Sequence, residues 1–339
     1  MSDKRIYIAY TGGTIGMQPS AEGFVPAAGW MAQQLADMPE LHQPEMPTFD
    51  LHEYAPLIDS AEMTPAHWQR IADDIAANYD SYDGFIILHG TDTMAYTAAA
   101  LSFMLDGLDK PVVLTGSQIP LASPRTDGRS NLINALYMVA EHPIPEVCLY
   151  FGDKLLRGNR ATKACADGFD AYDSPNLAPL ARAGIEIRLS NVPEVEQSSA
   201  GFSVSSISPQ QIAVVTLHPG ISHQHIANAL QPPVKAFILQ SFGVGNAPRT
   251  PELLALFEEA KSREVLVLNL SQCHAGRVAM GSYATGNSLA LAGVISGFDM
   301  TLEAALAKLH VLLSKDLSFA DLQQQMQQNL RGELSEPQT

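Results

Sequence analysis

Short apolar runs alternate along this chain with segments whose apolar residues recur every three or four positions. Ile6-Tyr7-Ile8-Ala9-Tyr10, within a β-branched and aromatic run over 5–11, meets Gly12-Gly13 and reads as a buried strand entering a turn. Thr64-Pro65 sets a helix start, with Thr64 as N-cap and Pro65 as first helical residue. Trp68, Ile71, Ile75 and Tyr79 then follow at helical spacing. Gly84-Phe85-Ile86-Ile87-Leu88 predicts the next buried strand and 93–105 the next helix. Val112-Val113-Leu114, a helix near 131–140 and Val147-Cys148-Leu149-Tyr150 continue the series. Such alternation implies a mainly parallel sheet covered by helices on both faces. Between 191 and 210 Ser, Gln, Pro and Glu dominate, which reads as an interdomain linker carrying at most one isolated strand. Beyond it strands at 212–217, 236–239 and 265–268 alternate with helices at 222–230 and 251–261, and two helices follow Thr301. The expected fold is α/β: a larger N-terminal domain over 1–190, a linker over 191–210 and a smaller α/β domain over 211–339.

Composition agrees with folded cores, since apolar residues make up 46% and charged ones only 17% of the 339. The 20 basic against 36 acidic residues give −16, which argues against nucleic acid as a partner. No apolar run approaches the roughly 18–20 residues of a membrane-spanning helix, so no membrane partner is expected. The short apolar stretch after Met1 is a poor signal peptide. Cys148, Cys165 and Cys273 cannot all pair, and a reduced, cytoplasmic protein is the simplest expectation. Cys165 and Cys273 read as small buried hydrophobes, and Gln324, Gln325, Gln327 and Gln328 with Met326 as an exposed helix face. His223 and His225 fall on a predicted surface helix with no carboxylate or cysteine cluster beside them, so no metal site is expected.

Chemistry concentrates after the strands. Thr11-Gly12-Gly13-Thr14-Ile15-Gly16 follows the first strand, where glycines permit a sharp turn and close backbone approach to a ligand. A dinucleotide fingerprint would need Gly where Thr11 stands, and no phosphate-binding G-x-x-x-x-G-K-[ST] occurs. A tight structural turn is the plain alternative. His89-Gly90-Thr91-Asp92-Thr93 follows the second buried strand, so both loops should open on the carboxyl edge of the sheet. Thr91 offers a hydroxyl and Asp92 a carboxylate, unless either merely caps the next helix. His89 reads as a packed, hydrogen-bonded histidine. Lys163 beside Asp92 could orient and deprotonate a neighbouring hydroxyl, and a threonine needs such a base to become a nucleophile.

Together these residues resemble the bacterial L-asparaginases, particularly the cytosolic type I branch. Ile8-x-x-Thr11-Gly12-Gly13-Thr14-Ile15-Gly16 is similar to the family's first signature, and Gly84-x-Ile86-x-x-His89-Gly90-Thr91-Asp92-Thr93-Met94 to its second. The resemblance runs from Ile6 to about Glu333, through Asp59-Ser60, Gly116-Ser117, Lys163 and Gly243-Val244-Gly245-Asn246. It implies hydrolysis of L-asparagine to L-aspartate and ammonia without a cofactor. Thr14 would form the acyl-enzyme, with Thr91, Asp92 and Lys163 as the proton-relaying cluster. Backbone N–H groups of the two glycine loops would serve as oxyanion donors. Asp92 would hold the substrate α-ammonium and Ser60 its α-carboxylate, with Asp59, Gly90, Thr91 and Ser117 in the same binding set. Asn246 would reach a neighbouring subunit's site in a homotetramer, a dimer of dimers.

Two departures bear on function. Phe24 in Glu22-Gly23-Phe24-Val25-Pro26 stands where the family usually carries a tyrosine hydroxyl, and activity is expected to be carried by Thr91 and Lys163 instead. Thr162, Ser271 and Cys273 match an effector site for a second asparagine in some members. Gln240 there replaces the arginine that would pair with the effector's carboxylate, so weak or absent activation is expected. Competing readings are glutamine as substrate, a transfer-RNA-linked amide, a non-catalytic asparagine or aspartate sensor, and a nucleotide-linked enzyme. The transfer-RNA-linked relatives carry an extra N-terminal domain, for which the early first signature leaves no room.

Overall fold

A computed structural model describes residues 4–335 except 22, 28, 192–200 and 281–283. The chain divides into two compact units, 1–205 and 206–339.

The first unit is built on an eight-stranded sheet. In chain order its strands are β1 (Arg5–Tyr10), β2 (Thr48–Glu53), β3 (Gly84–Leu88), β4 (Val112–Thr115), β5 (Val147–Phe151), β6 (Lys154–Arg157), β7 (Ala181–Ala183) and β8 (Ile187–Leu189). Across the sheet the order is β8-β7-β6-β5-β4-β3-β1-β2. The five from β2 to β5 are parallel, while β6, β7 and β8 extend the sheet antiparallel. Only two residues separate β5 from β6, with Gly152 at φ 64°, and so short a turn permits only an antiparallel return. All five residues of β3 are buried, which is why the strand is apolar throughout instead of alternating.

Helices α1 (Pro65–Asn78), α2 (Met94–Met104) and α3 (Gly128–Glu141) complete this unit's main framework. Trp68, Ile71, Ala72 and Ile75 form the buried stripe of α1. Nearly every residue of α2 is buried, so it carries no amphipathic pattern. Ile6, Ile8, Tyr10, Ile86, Leu88 and Val113 of the sheet share a core with Leu132, Ala135, Leu136 and Val139 of α3. Ser203–Val204, at the end of the segment expected as a linker, pairs antiparallel with Leu105–Asp106; 192–200 lie outside the described residues.

The second unit has four parallel strands in sequential order: β9 (Ile212–Thr216), β10 (Ala236–Ser241), β11 (Leu266–Ser271) and β12 (Ile295–Ser296). Its helices include α4 (His223–Ala229), α5 (Pro251–Ser262), α6 (Leu302–Leu313) and α7 (Phe319–Gln327). Alternate residues of β10 enter two cores. Phe237 and Leu239 pack with Ile226, Leu253 and Phe257, whereas Ala236 and Ile238 pack with Leu309, Leu322 and Met326.

Two expectations are corrected here. Met326 is fully buried, because it follows Leu322 by one helical turn and both face the α6 side of the core; only the glutamines are partly or fully exposed. Cys273 is exposed and Cys165 half-buried, and only Cys148 belongs to a core. Both corrected cysteines lie just past strand ends, in loops where backbone and polar contacts set the path. Among the described residues no helix is long and apolar enough to cross a membrane, and no group of three or more His, Cys, Asp and Glu side chains could hold a metal ion.

Candidate active site

Four loops leave the carboxyl ends of β1, β2, β3 and β4, the edge at which open parallel sheets gather ligands. After β1, the Thr11 N–H and hydroxyl both donate to Leu88 O, at 3.0 and 2.9 Å. This ties the first loop to the end of β3. A Cβ on Gly13 would lie 2.4 Å from Gly90 Cα, and one on Gly12 would lie 2.3 Å from Ile58 O, both at positive φ. The two signature loops therefore touch through bare backbone, which only glycine allows. Thr14 opens the short turn Thr14–Gly16 and is half-buried.

The loop after β3 supplies most of the polar chemistry. His89 is buried, with Nδ1 2.7 Å from Gly90 O and Nε2 2.9 Å from Thr97 Oγ1. Nδ1 faces a carbonyl, so in the neutral ring Nδ1 donates and Nε2 accepts from Thr97. Burial pushes its pKa down to about 4. Neither Thr91 nor Asp92 caps α2, whose N-cap is Thr93. Thr93 Oγ1 instead donates to Ser60 O at 2.7 Å, fastening the β2 loop to the β3 loop. Their carboxylate and hydroxyl are left for Lys163.

Lys163 Nζ donates to Thr91 Oγ1 at 3.0 Å and to Asp92 Oδ1 at 2.8 Å. The lysine side chain is 19% exposed and the Asp92 side chain 65%, so the ion pair has one sheltered and one open end. Lys163 is carried by the strand Thr162–Lys163, which pairs with Tyr172–Asp173. The Tyr172 hydroxyl donates to Thr91 O, so this small ribbon grips Thr91 by backbone and side chain together.

The remaining first-unit candidates surround this pair. Ser60 is buried, and its Oγ would lie 2.4 Å from a Cβ on Gly90. Asp59 Oδ1 accepts the Ala61 N–H at 2.9 Å. Ser117, buried after β4, donates to Ile119 O at 2.6 Å. Gln118 was not singled out from sequence, yet its Oε1 accepts the Thr91 hydroxyl at 3.1 Å. Its Nε2 donates to Ala166 O and Gly168 O, each at 3.1 Å, which fixes the amide's orientation. Its adjacency to Gly116-Ser117 is the only sequence signal. Phe24 lies in the strand Gly23–Pro26, paired with Met17–Ser20, and is 48% exposed.

Asn246, Gln240, Ser271 and Cys273 belong to the second unit. Asn246 closes a turn with Phe242 through backbone bonds of 2.8 and 2.9 Å. Gln240, on β10, accepts the Thr216 hydroxyl at 2.7 Å. Ser271 Oγ donates to Gly243 O at 2.6 Å and accepts the Cys273 N–H at 3.0 Å. Thr162 stands in the first unit, beside Lys163.

Sequence and structure comparisons bear on this geometry. The chain is 59% identical to L-asparaginase 1 of Escherichia coli K12, over 99% of each chain. It superposes on the crystal structure of L-asparaginase I from Vibrio cholerae O1 biovar eltor with a TM-score of 0.93 and 59% identity, covering 98% of this chain and 99% of that one. It is also 42% identical to the Homo sapiens 60 kDa lysophospholipase, over 99% of this chain and 62% of that protein. The N-terminal asparaginase family model matches residues 5–194 and the glutaminase/asparaginase C-terminal domain model residues 211–326. With both models matched in order along one chain, this protein belongs to the asparaginase family.

Proposed function

We propose that this protein hydrolyses the side-chain amide of L-asparagine, giving L-aspartate and ammonia. The observation that carries the reading is the Lys163 ammonium held at 3.0 and 2.8 Å between the Thr91 hydroxyl and the Asp92 carboxylate, beside a glycine loop that presents Thr14. In the first half-reaction the Thr14 hydroxyl attacks the amide carbon and loses its proton, and the nitrogen leaves as ammonia after gaining one. An ester to Thr14 results. In the second half-reaction water attacks the ester carbon, Thr91, Lys163 and Asp92 relay its proton to the departing Thr14 oxygen, and aspartate leaves with the Thr14 hydroxyl restored. N–H groups of the two glycine loops oppose the oxyanion, each worth about 3 kcal/mol in the transition state. Asp92 receives the substrate ammonium, which its exposed carboxylate favours. Ser60 and nearby backbone N–H groups receive the α-carboxylate, and Asp59, Gly90 and Ser117 complete the binding set.

The working unit in this reading is a cytoplasmic homotetramer in which Asn246 completes a neighbour's site. Thr162, Gln240, Ser271 and Cys273 are effector-site candidates by family resemblance, and at Gln240 a neutral amide cannot pair with a carboxylate as an arginine would. Activation by asparagine is therefore weak or absent. The test is ammonia release by purified protein across asparagine and glutamine concentrations, with Thr14→Ala as control. Asparagine turnover along a hyperbolic curve, abolished in the variant, is expected. No ammonia from asparagine would overturn the reading, and a sigmoidal curve would overturn the effector statement.

A further inference from the structure

Asp127 occupies the N-cap position of α3, where a carboxylate ordinarily accepts from the first N–H groups of its own helix. It makes no such bond here. Thr126 Oγ1 accepts the Gly128 N–H at 2.9 Å instead. The Asp127 carboxylate faces the loop after β4. Oδ1 accepts the N–H groups of Gln118 and Ile119, each at 3.1 Å, and Oδ2 accepts from Gln118 N–H at 2.9 Å and Asn131 Nδ2 at 3.3 Å. One helical turn on, the buried Asn131 donates to Gly116 O at 2.9 Å and accepts the Gly152 N–H at 3.1 Å. The first turns of α3 thus hold both ends of the segment from Gly116 to Ile119.

That segment bears on both threonines. Gln118 Oε1 accepts the Thr91 hydroxyl, and the Leu121 N–H donates to the carbonyl of Ile15, next to Thr14, at 3.0 Å. The helix start is pressed against the same places, since a Cβ on Gly128 would lie 3.1 Å from Ser117 Cβ and 3.3 Å from Ile15 Cγ1. A carboxylate that leaves its own helix to bind two consecutive loop N–H groups fixes that loop's backbone more firmly than a neutral acceptor would. We infer that Asp127, supported by Asn131, is a positioning residue that sets the 116–121 loop, and through it Gln118 and Ile15, against Thr91 and Thr14. The kinetic part of this inference rests on the hydrolytic reading above, while its structural part does not.

Asp127→Asn keeps one acceptor but turns an amide NH2 toward the N–H groups of Gln118 or Asn131. Hydrogen exchange followed by mass spectrometry is expected to quicken in peptides covering 116–121 and to stay unchanged in α2. The kcat for asparagine is expected to fall about 10- to 100-fold, with KM within about threefold of wild type. The double variant Asp127→Asn/Gln118→Ala is expected to be no slower than the slower single variant, because both act on one unit, whereas a general loss of folded protein would make the losses multiply. Unchanged exchange over 116–121, or multiplying losses, would overturn the inference. Should Asp127→Asn lose its native Tm, Asn131→Ser, which releases Gly116 O, Gly152 N–H and the 3.3 Å bond to Asp127 Oδ2 but keeps the Asp127 bonds to the loop, is judged on the same readouts. Ammonia release by the wild type in the same assay tests the hydrolytic reading separately.

Discussion

At the scale of single residues, charge and hydrogen-bond complement decide which groups can react. Lys163 spends two of its three donors on Thr91 and Asp92, so Lys163→Met removes the positive charge that would stabilise the Thr91 oxygen as a proton leaves it. A fall in kcat of about 10²- to 10⁴-fold is expected, measured by ammonia release under saturating asparagine. Phe24 has no hydroxyl to add to this path, and Phe24→Tyr should raise kcat by less than about a hundredfold; a larger gain would assign the missing hydroxyl a leading role. His89 serves stability. Its folded pKa of about 4 lies below the ordinary 6.5, so between these values the unfolded chain binds the extra proton. The stabilisation is present above pH 6.5 and is lost as pH falls towards 4, by about 3 kcal/mol at the limit. Thermal unfolding of His89→Gln should therefore depend less on pH in that window than the wild type does. Thr91, Asp92 and Lys163 were legible as reactive types next to glycine-marked turns. Gln118 and Tyr172 were not, because an amide and an aromatic ring carry no chemistry until the fold brings them to the Thr91 oxygen atoms.

At the scale of elements, the active loops are placed by contacts between backbones. Gly13 lies against Gly90, and Gly90 lies against Ser60, with no space for even a methyl group. Gly90→Ala should wedge the β2 and β3 loops apart. The expected result is a cost of about 1–3 kcal/mol in urea unfolding and an activity loss near a hundredfold, greater than the stability change alone would cause. Most parallel strands were legible because full burial makes a strand apolar throughout, as in β3, and α1 because one buried face leaves helical spacing. Strand β2, whose partly buried residues alternate with exposed ones, and the two-residue β12 were not. The antiparallel extension β6 to β8 was not. Leu155 and Leu156 of β6 are buried but too few to separate from neighbouring turns, and the pairing depends on the Gly152 turn.

At the scale of the whole molecule, each unit closes a core of its own, and the C-terminal segment is locked into the second. Lys308 of α6 and Glu333 are both fully buried, 2.5 Å apart, and the ammonium also donates to Met326 O and Gln328 O. Glu333 in turn accepts from the N–H groups of Leu330 and Arg331. Burial pushes the Lys308 pKa down, and Glu333 opposes that shift. Glu333→Gln would strand the buried ammonium, and a loss of about 3–5 kcal/mol in urea unfolding is expected. Glu333 near the C-terminus is thus part of the core, as Met326 also is. The sequence by itself determined the α/β class, the alternation of most parallel strands with helices and the residue types able to activate a hydroxyl, because these follow from local periodicity, turn chemistry and neighbours along the chain. Only the tertiary structure decided what Lys163 and Asp127 bind, where the sheet turns antiparallel and which polar groups are buried. These depend on contacts across many tens of residues, where distance and desolvation, and not residue type, set the energy.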